Sequence, residues 1–328
     1  MKNTPATLAL PVTYSLVSPL ALRQELLPLY GLTEAATVSL LAQGMHDTYL
    51  VAEPAPKYVL RIYRAGWKTF AQVEAEVRVL RLLQAQGLPV GYPIADAQGT
   101  SIHRLASPEG ERYAVLFAYA AGEKVNVLTP TQASRFGQYV GQMHAITAGR
   151  QDGSLHRDYS PERIFEETRR GIRAVLPTHR EAHRQLERIC ECVGGPLSPD
   201  VLKTLKAGIC HGDPHHENLF IEPATGEVTM FDFDFSGNGY LLYDLGSFCF
   251  YERQRQPNVE AFLDGYARVL PLTPAERQRV PCFTILMRLF HLGARSQNAD
   301  GIKNPLWPPA EIAAKIDDIE KEACRLNS

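Results

Sequence analysis

A polar run, His211-Gly212-Asp213-Pro214-His215-His216-Glu217-Asn218, breaks an otherwise apolar stretch, and two more aspartates, Asp232 and Asp234, follow a little downstream. Between them Leu219–Ile221 and Val228–Phe231 read as strands, joined by a Pro- and Gly-containing turn at Pro223–Glu227. Two adjacent strands of this kind carry Asp213, Asn218 and Asp232 to one pocket. A carboxylate, a carboxamide oxygen and a second carboxylate are hard oxygen donors. Together they suit a magnesium–phosphate site, with one group left to take a proton from a hydroxyl. A pair of Asx-rich turns accounts for each residue singly but not for the whole pattern.

The pattern H-G-D-x-x-x-x-N, an apolar strand, D-F-D and then Tyr243-Asp244-Leu245-Gly246 resembles the aminoglycoside phosphotransferase superfamily. That superfamily also holds choline kinases, type II homoserine kinases and a bacterial stress-response kinase family. The likeness runs from about Leu40 to Arg295 and is tightest over Ile209–Asp244. It implies an α+β, protein-kinase-like two-lobed fold. A small nucleotide-binding lobe, residues 1–118, would hold an antiparallel sheet and one helix; a larger, mainly helical catalytic and substrate-binding lobe would span 119–328. It also implies ATP and Mg2+ as cofactors. Asp213 is then the catalytic base, Asn218 and Asp232 the metal ligands, and Asp244 the group that holds the loop through backbone N–H donors. His211 buttresses the loop. His215, His216 and Glu217 are acceptor contacts, suited to a hydroxyl or amine compound, and Asp234 assists the metal or faces the substrate.

The elements that must present these groups are legible upstream. Leu20–Tyr30 has helical apolar spacing and stops at Gly31. Ala36–Ala42 and Thr48–Ala52 read as strands around Gln43-Gly44-Met45-His46-Asp47, which the resemblance makes the loop over the nucleotide phosphates, with Gly44 in it. Relatives often carry Asn where Asp47 stands, and an anion there is unfavourable unless it faces away or reaches the metal. Lys57–Tyr63 is the next strand. The phosphate-holding lysine of kinases corresponds to Arg61, whose guanidinium still offers a fixed charge and a bidentate fork; Lys57, at the strand's start, is the other choice. Phe70–Gln86 is amphipathic, with Val73, Val77, Leu80 and Leu83 on one face. On it Glu76, rather than Glu74, matches the glutamate that pairs with the strand cation. Tyr113–Tyr119 is an apolar strand leading to the expected hinge, where backbone groups around Phe117–Tyr119 read the adenine edge.

Composition narrows the classes. Hydrophobic residues make up 45 % and charged residues 21 % of 328, enough for two cores of ordinary globular character. A formal net charge of −2 argues against nucleic acid or an anionic membrane as partner, and no apolar run reaches membrane-spanning length. The start of the chain reads as a disordered or surface-packed lead, broken by Pro11, Thr13 and Ser15, and not as a signal peptide. Six scattered cysteines form neither a disulfide framework nor a C-x-x-C pair, which points to a reduced, cytoplasmic protein.

The remaining segments read as helices: Thr129–Ala145, capped by Thr129 with Pro130 in the first turn, then Glu162–Val175, His179–Val193, Tyr240–Phe250, Asn258–Leu270, Pro274–Ser296 and Pro309–Arg325. Gly301–Pro308 reads as a linker. His211, His215 and His216 have no spacing of a closed zinc site. Arg288, His291 and Arg295 form a polar stripe at i, i+3 and i+7. The reading that results is ATP-dependent phosphoryl transfer to a small-molecule hydroxyl. Its rivals are a protein Ser/Thr kinase, suggested by His156-Arg157 and Tyr63-Arg64, and a nucleotide-binding pseudokinase, suggested by Arg61 and Asp47.

Overall fold

The computed structural model describes residues 10–53, 56–297 and 307–327. The expected linker, up to residue 306, and the first nine residues of the expected lead lie outside them. The chain divides into two compact units, Met1–Glu74 with Tyr92–Tyr119 and Ala75–Gly91 with Ala120–Ser328.

The first unit is built on an antiparallel sheet of β1 (Thr37–Gln43), β2 (Asp47–Ala52), β3 (Lys57–Ile62), β4 (His103–Ser107) and β5 (Gly110–Ala118), in the order β1-β2-β3-β5-β4. Alternation fixes its buried face. Tyr49 and Val51, Leu60 and Ile62, and Ala114 and Leu116 point to one core, closed by Leu22, Leu26 and Leu27 from the helical pieces that end at Gly31. Gly31 takes φ 69°, the left-handed cap expected of it.

Arg112 shares the buried face with Ala114 and Leu116 and is itself fully buried. Its Nη2 donates to Oδ2 of Asp47 at 2.6 Å, its Nε to the Tyr63 carbonyl at 3.0 Å and its Nη1 to the Ser15 carbonyl at 2.8 Å. Tyr14 adds its hydroxyl to Oδ1 of Asp47. The anion at position 47 therefore faces away from the hairpin loop into the sheet, where a guanidinium compensates it.

Helix α1 (Phe70–Ala85) follows β3 in the chain. Its two glutamates differ sharply: Glu76 is 1 % exposed, whereas Glu74 is on the surface.

The second unit is mainly helical. Helix α2 (Pro130–Thr147) starts with a reciprocal cap between Thr129 and Gln132. It crosses α6 (Gln256–Ala267) at glycines: a Cβ on Gly137 would lie 2.0 Å from the Phe262 carbonyl oxygen, and one on Gly265 2.0 Å from that of Ser134. Side chains at either position would force the helices apart. Phe248 from α5 (Leu242–Tyr251) stacks on Phe262 with ring centres 3.8 Å apart, sealing this crossing. Helices α3 (Pro161–Val175), α4 (Arg180–Gly194), α7 (Pro274–Gln297) and α8 (Pro309–Cys324) complete the helical set. The histidines of α4 are structural, since His179 caps its first turn and the His183 ring pairs with the Leu176 carbonyl.

Two small sheets hold the functional loop. One joins β6 (Glu123–Lys124), β9 (Leu219–Ile221) and β10 (Val228–Met230); the other joins β7 (Arg157–Asp158), β8 (Ala207–Cys210) and β11 (Gly237–Tyr240). Strand β11 departs from the sequence reading, which began a helix at Tyr240. Gly237-Asn238-Gly239 has poor strand propensity, but the strand forms because bare glycines admit a close neighbour. A Cβ on Gly237 would lie 2.6 Å from Cβ of Arg157, and one on Gly239 2.7 Å from Cβ of Tyr159.

Candidate active site

The polar run leaves β8 and turns at once. Gly212 takes φ 89°, and a Cβ there would lie 2.2 Å from the Tyr159 hydroxyl and 2.3 Å from the Phe235 carbonyl oxygen. Only glycine satisfies both the backbone angle and the space. Beneath it Tyr159 stacks on Tyr243 at 4.0 Å.

Asp244, in the first turn of α5, holds the loop as the resemblance implied. Its Oδ2 accepts from the backbone N–H of His211 at 2.7 Å and its Oδ1 from that of Gly212 at 2.8 Å. Behind it, Nε2 of His144 lies 2.9 Å from Oδ2, and the other ring nitrogen lies 3.0 Å from the Tyr266 hydroxyl on α6. The carboxylate takes the imidazole N–H, so the tyrosine donates to Nδ1. His144, Cys210 and Asp244 bring three ligand-type atoms together in the buried interior. Both oxygens of Asp244 already serve loop N–H groups, which makes this trio an anchor.

His211 is a buttress. Its Nε2 faces the Phe231 carbonyl at 3.1 Å, and its Nδ1 accepts from the Asp213 N–H at 3.3 Å. Burial pushes the imidazole below its usual pKa against the pull of Asp244 and Asp213, so the ring is neutral and donates through Nε2.

The carboxylate of Asp213 is held at both oxygens. Oδ1 accepts from the Tyr251 hydroxyl at 2.8 Å, and Oδ2 lies 3.3 Å from Nε2 of His215. The Glu217 N–H donates to Nδ1 of His215 at 3.3 Å, which puts the imidazole proton on Nε2, facing the base. Burial alone would raise the Asp213 pKa, but the His215 hydrogen bond and the fields of His215 and His291 outweigh it, and the net shift is downward. The group is therefore ionised at neutral pH. Burial, reinforced by the charge of Asp213, raises the Tyr251 phenol well above its usual range, so that hydroxyl stays a donor.

Asn218 lies beside the base. Its Nδ2 donates to the Asp213 backbone carbonyl at 3.0 Å, which leaves Oδ1 as the ligand atom. Strands β9 and β10 pair with Leu219 opposite Met230, and the Phe231 N–H reaches the Asn218 carbonyl at 3.1 Å. That pairing carries Asp232 to the same end of the ladder as Asn218. Asp232 has φ 64° and ψ 58°, the left-handed conformation, at a non-glycine residue. Such a conformation costs about 1–3 kcal/mol and concentrates at functional sites. Hard oxygen donors with a pinned amide fit a divalent cation of the magnesium or calcium type.

The other predicted residues have definite places. Asp234 is buried, His216 lies 3.8 Å from Glu252, and Glu217 is exposed. His211, His215 and His216 do not gather as metal ligands among the described residues. In the first unit the Arg61 guanidinium lies over the rings of Phe117 at 5.6 Å and Tyr63 at 5.9 Å. Gly44 sits in the hairpin loop with open space around it. The Ala118 N–H, between Phe117 and the exposed Tyr119, donates to the Tyr92 carbonyl at 2.9 Å. Tyr251 is the residue that sequence reading missed. It ends an aromatic run, Phe248 to Tyr251, that looks like core, and nothing in its spacing ties it to Asp213.

The family model of the phosphotransferase enzymes matches residues 37–279. The chain belongs to the phosphotransferase enzyme family. An uncharacterized protein of Deinococcus radiodurans is 31 % identical over 297 residues, covering 88 % of this chain and 85 % of that protein. A homoserine kinase of Polaromonas naphthalenivorans is 29 % identical over 259 residues, covering 73 % and 75 %. Among solved structures, a microcompartment-associated aminopropanol kinase superposes with a TM-score of 0.72 at 21 % identity, covering 93 % of this chain and 95 % of that one. The fold is kinase-like, with an antiparallel-sheet unit and a mainly helical one, and the α+β expectation holds. The chain is thus a phosphotransferase enzyme of the kinase type.

Proposed function

We propose that this phosphotransferase moves the γ-phosphate of ATP to a hydroxyl of a small molecule, with Asp213 as the base. The observation that carries the reading is the carboxylate fixed at both oxygens, by Tyr251 at 2.8 Å and His215 at 3.3 Å, next to the pinned amide of Asn218. A base so held keeps one orientation toward an incoming hydroxyl and remains ionised. Phosphoryl transfer asks a protein chiefly for positioning and charge stabilisation. Asn218 and Asp232 would hold Mg2+, which when bound neutralises charge on the phosphates. Asp234 assists there. Arg61 and Glu76 keep the phosphate-clamp roles, and Gly44, Phe117 and Tyr119 the nucleotide contacts, that the resemblance implies. Residues 1–118 then serve as the nucleotide-binding lobe and 119–328 as the catalytic one, in a cytoplasmic enzyme. His215, His216 and Glu217 border the acceptor.

The regulatory rival loses one of its two supports. Asp47 is compensated by Arg112 and has no part in a phosphate loop, so only Arg61 departs from the kinase norm. Transfer is tested by following ADP release with Mg-ATP across amino alcohols, homoserine, aminoglycosides and a generic protein substrate. Release with a small hydroxyl compound, lost in Asp213→Asn, is the expected result; release with the protein substrate alone would overturn it.

A further inference from the structure

The polar stripe of α7 separates in space. Arg288 turns to α8, where it pairs with Asp318 and Glu322. His291 and Arg295, one helical turn apart, belong instead to the surroundings of the base. His291 lies within the electrostatic reach of Asp213, Arg295, His215 and Arg157, and burial keeps its imidazole below the usual pKa. Its Nε2 is buried and has no hydrogen-bond partner in the protein. Arg295 stands over the ring of Trp307 at 4.9 Å and acts on Tyr251, the residue whose hydroxyl touches Asp213. Arg157 stacks on Phe235 at 5.5 Å and Phe290 at 5.3 Å, and Phe290 precedes His291 in the chain.

A buried ring N–H that the protein leaves unmatched is a donor for a ligand to complete. A guanidinium propped on an aromatic face is a fixed charge in a fixed place, and planar anions suit it best. Simple amino alcohols have nothing to offer either group. Glu217 also acts on Tyr251, so an ammonium is served on that side whichever acceptor binds, and the amine does not separate the alternatives. We propose that His291 and Arg295 bind a carboxylate of the acceptor, which makes the acceptor a hydroxy acid or hydroxy amino acid rather than an amino alcohol. This rests on the phosphotransfer reading above for the identity of the base, and it adds the chemical class of the acceptor.

The test uses a matched pair, homoserine and the primary aminopropanol that is homoserine without its carboxylate. With full-length chain and Mg-ATP, kcat/KM for homoserine should exceed that for aminopropanol by roughly a hundredfold or more, since a site built for a polar group rejects the analogue lacking it. Arg295→Met and, independently, His291→Leu should each raise KM for homoserine and shrink that ratio at least tenfold, with Arg295→Lys recovering part of it. Equal or better turnover of aminopropanol overturns the assignment. So does a loss of kcat that is the same for both acceptors, which would place Arg295 on the transferring phosphate. Calorimetric titration of homoserine into chain saturated with a non-hydrolysable ATP analogue keeps the two readings apart. Binding that depends on Arg295 without any transfer sinks the phosphotransfer reading alone. An absence of binding to the wild-type chain sinks the carboxylate assignment.

Discussion

Arg112 and Asp47 meet at 2.6 Å with no solvent access to either side chain. The pair ties three strands together, because Arg112 lies on β5, Asp47 opens β2, and the carbonyls of Tyr63 and Ile62 at the end of β3 accept from the same guanidinium. Removing one partner strands the other charge in the sheet. Arg112→Met should destabilise the fold by about 3–5 kcal/mol in denaturant titration. Arg112→Met combined with Asp47→Asn should recover part of that loss. A single mutant within about 0.5 kcal/mol of wild type would show that the pair is not buried in solution.

Asp213→Asn keeps the side chain's size and its bond to Tyr251 while removing the base. Nucleotide affinity should survive, measured by calorimetry, and turnover should fall on the order of a hundredfold or more. Comparable turnover in the two proteins would remove Asp213 from the chemistry.

The pH profile reports on His215. Because its hydrogen bond and charge hold the Asp213 carboxyl down, the acid limb of kcat/KM from that group should lie below the ordinary carboxylate value of about 3.9. His215→Gln removes the charge, so the limb should move to higher pH. The same linkage governs stability: a lowered folded-state pKa contributes stability that is present above the unfolded value and lost as pH falls through the folded one. An acid limb that stays in place in His215→Gln would mean that another group sets it.

Asp232 should show function and stability pulling in opposite directions. Glycine accepts its left-handed backbone without strain, so Asp232→Gly should cost nothing or gain up to about 1 kcal/mol. The same change should abolish the magnesium-dependent part of stabilisation by ATP. In wild type, ATP should stabilise by about 2.7 kcal/mol at a hundredfold excess over its dissociation constant. Thermal melts with and without Mg2+ separate the two effects, and a full magnesium response in the mutant would exclude Asp232 as a ligand.

What could be read from the chain follows from how local each feature is. The turn at Gly212, the β9–β10 ladder and the Asp244 anchor all lie within one continuous block, where spacing alone fixes neighbours. Helix caps such as Thr129 and Gly31 are equally local. The Arg112–Asp47 pair was within reach, since Arg112, Ala114 and Leu116 share one face by alternation, but a charged residue in a strand is ordinarily taken as exposed. Tyr251 was out of reach. It touches the base across 38 positions, and only the packing of α5 against the loop makes the two neighbours.

The chain of contacts from the loop through Asp244 and His144 to Tyr266 ends on α6, a helix that makes no contact with the proposed acceptor groups through any bond described above. That helix is pressed against α2 at Gly137 and Gly265, where a single methyl has no room. Heating that loosens this crossing reaches the base through three hydrogen bonds in series, long before the hydrophobic interior gives way. Catalytic output would then act as the molecule's most sensitive thermometer, fading over a temperature range in which circular dichroism still reports an intact helical protein.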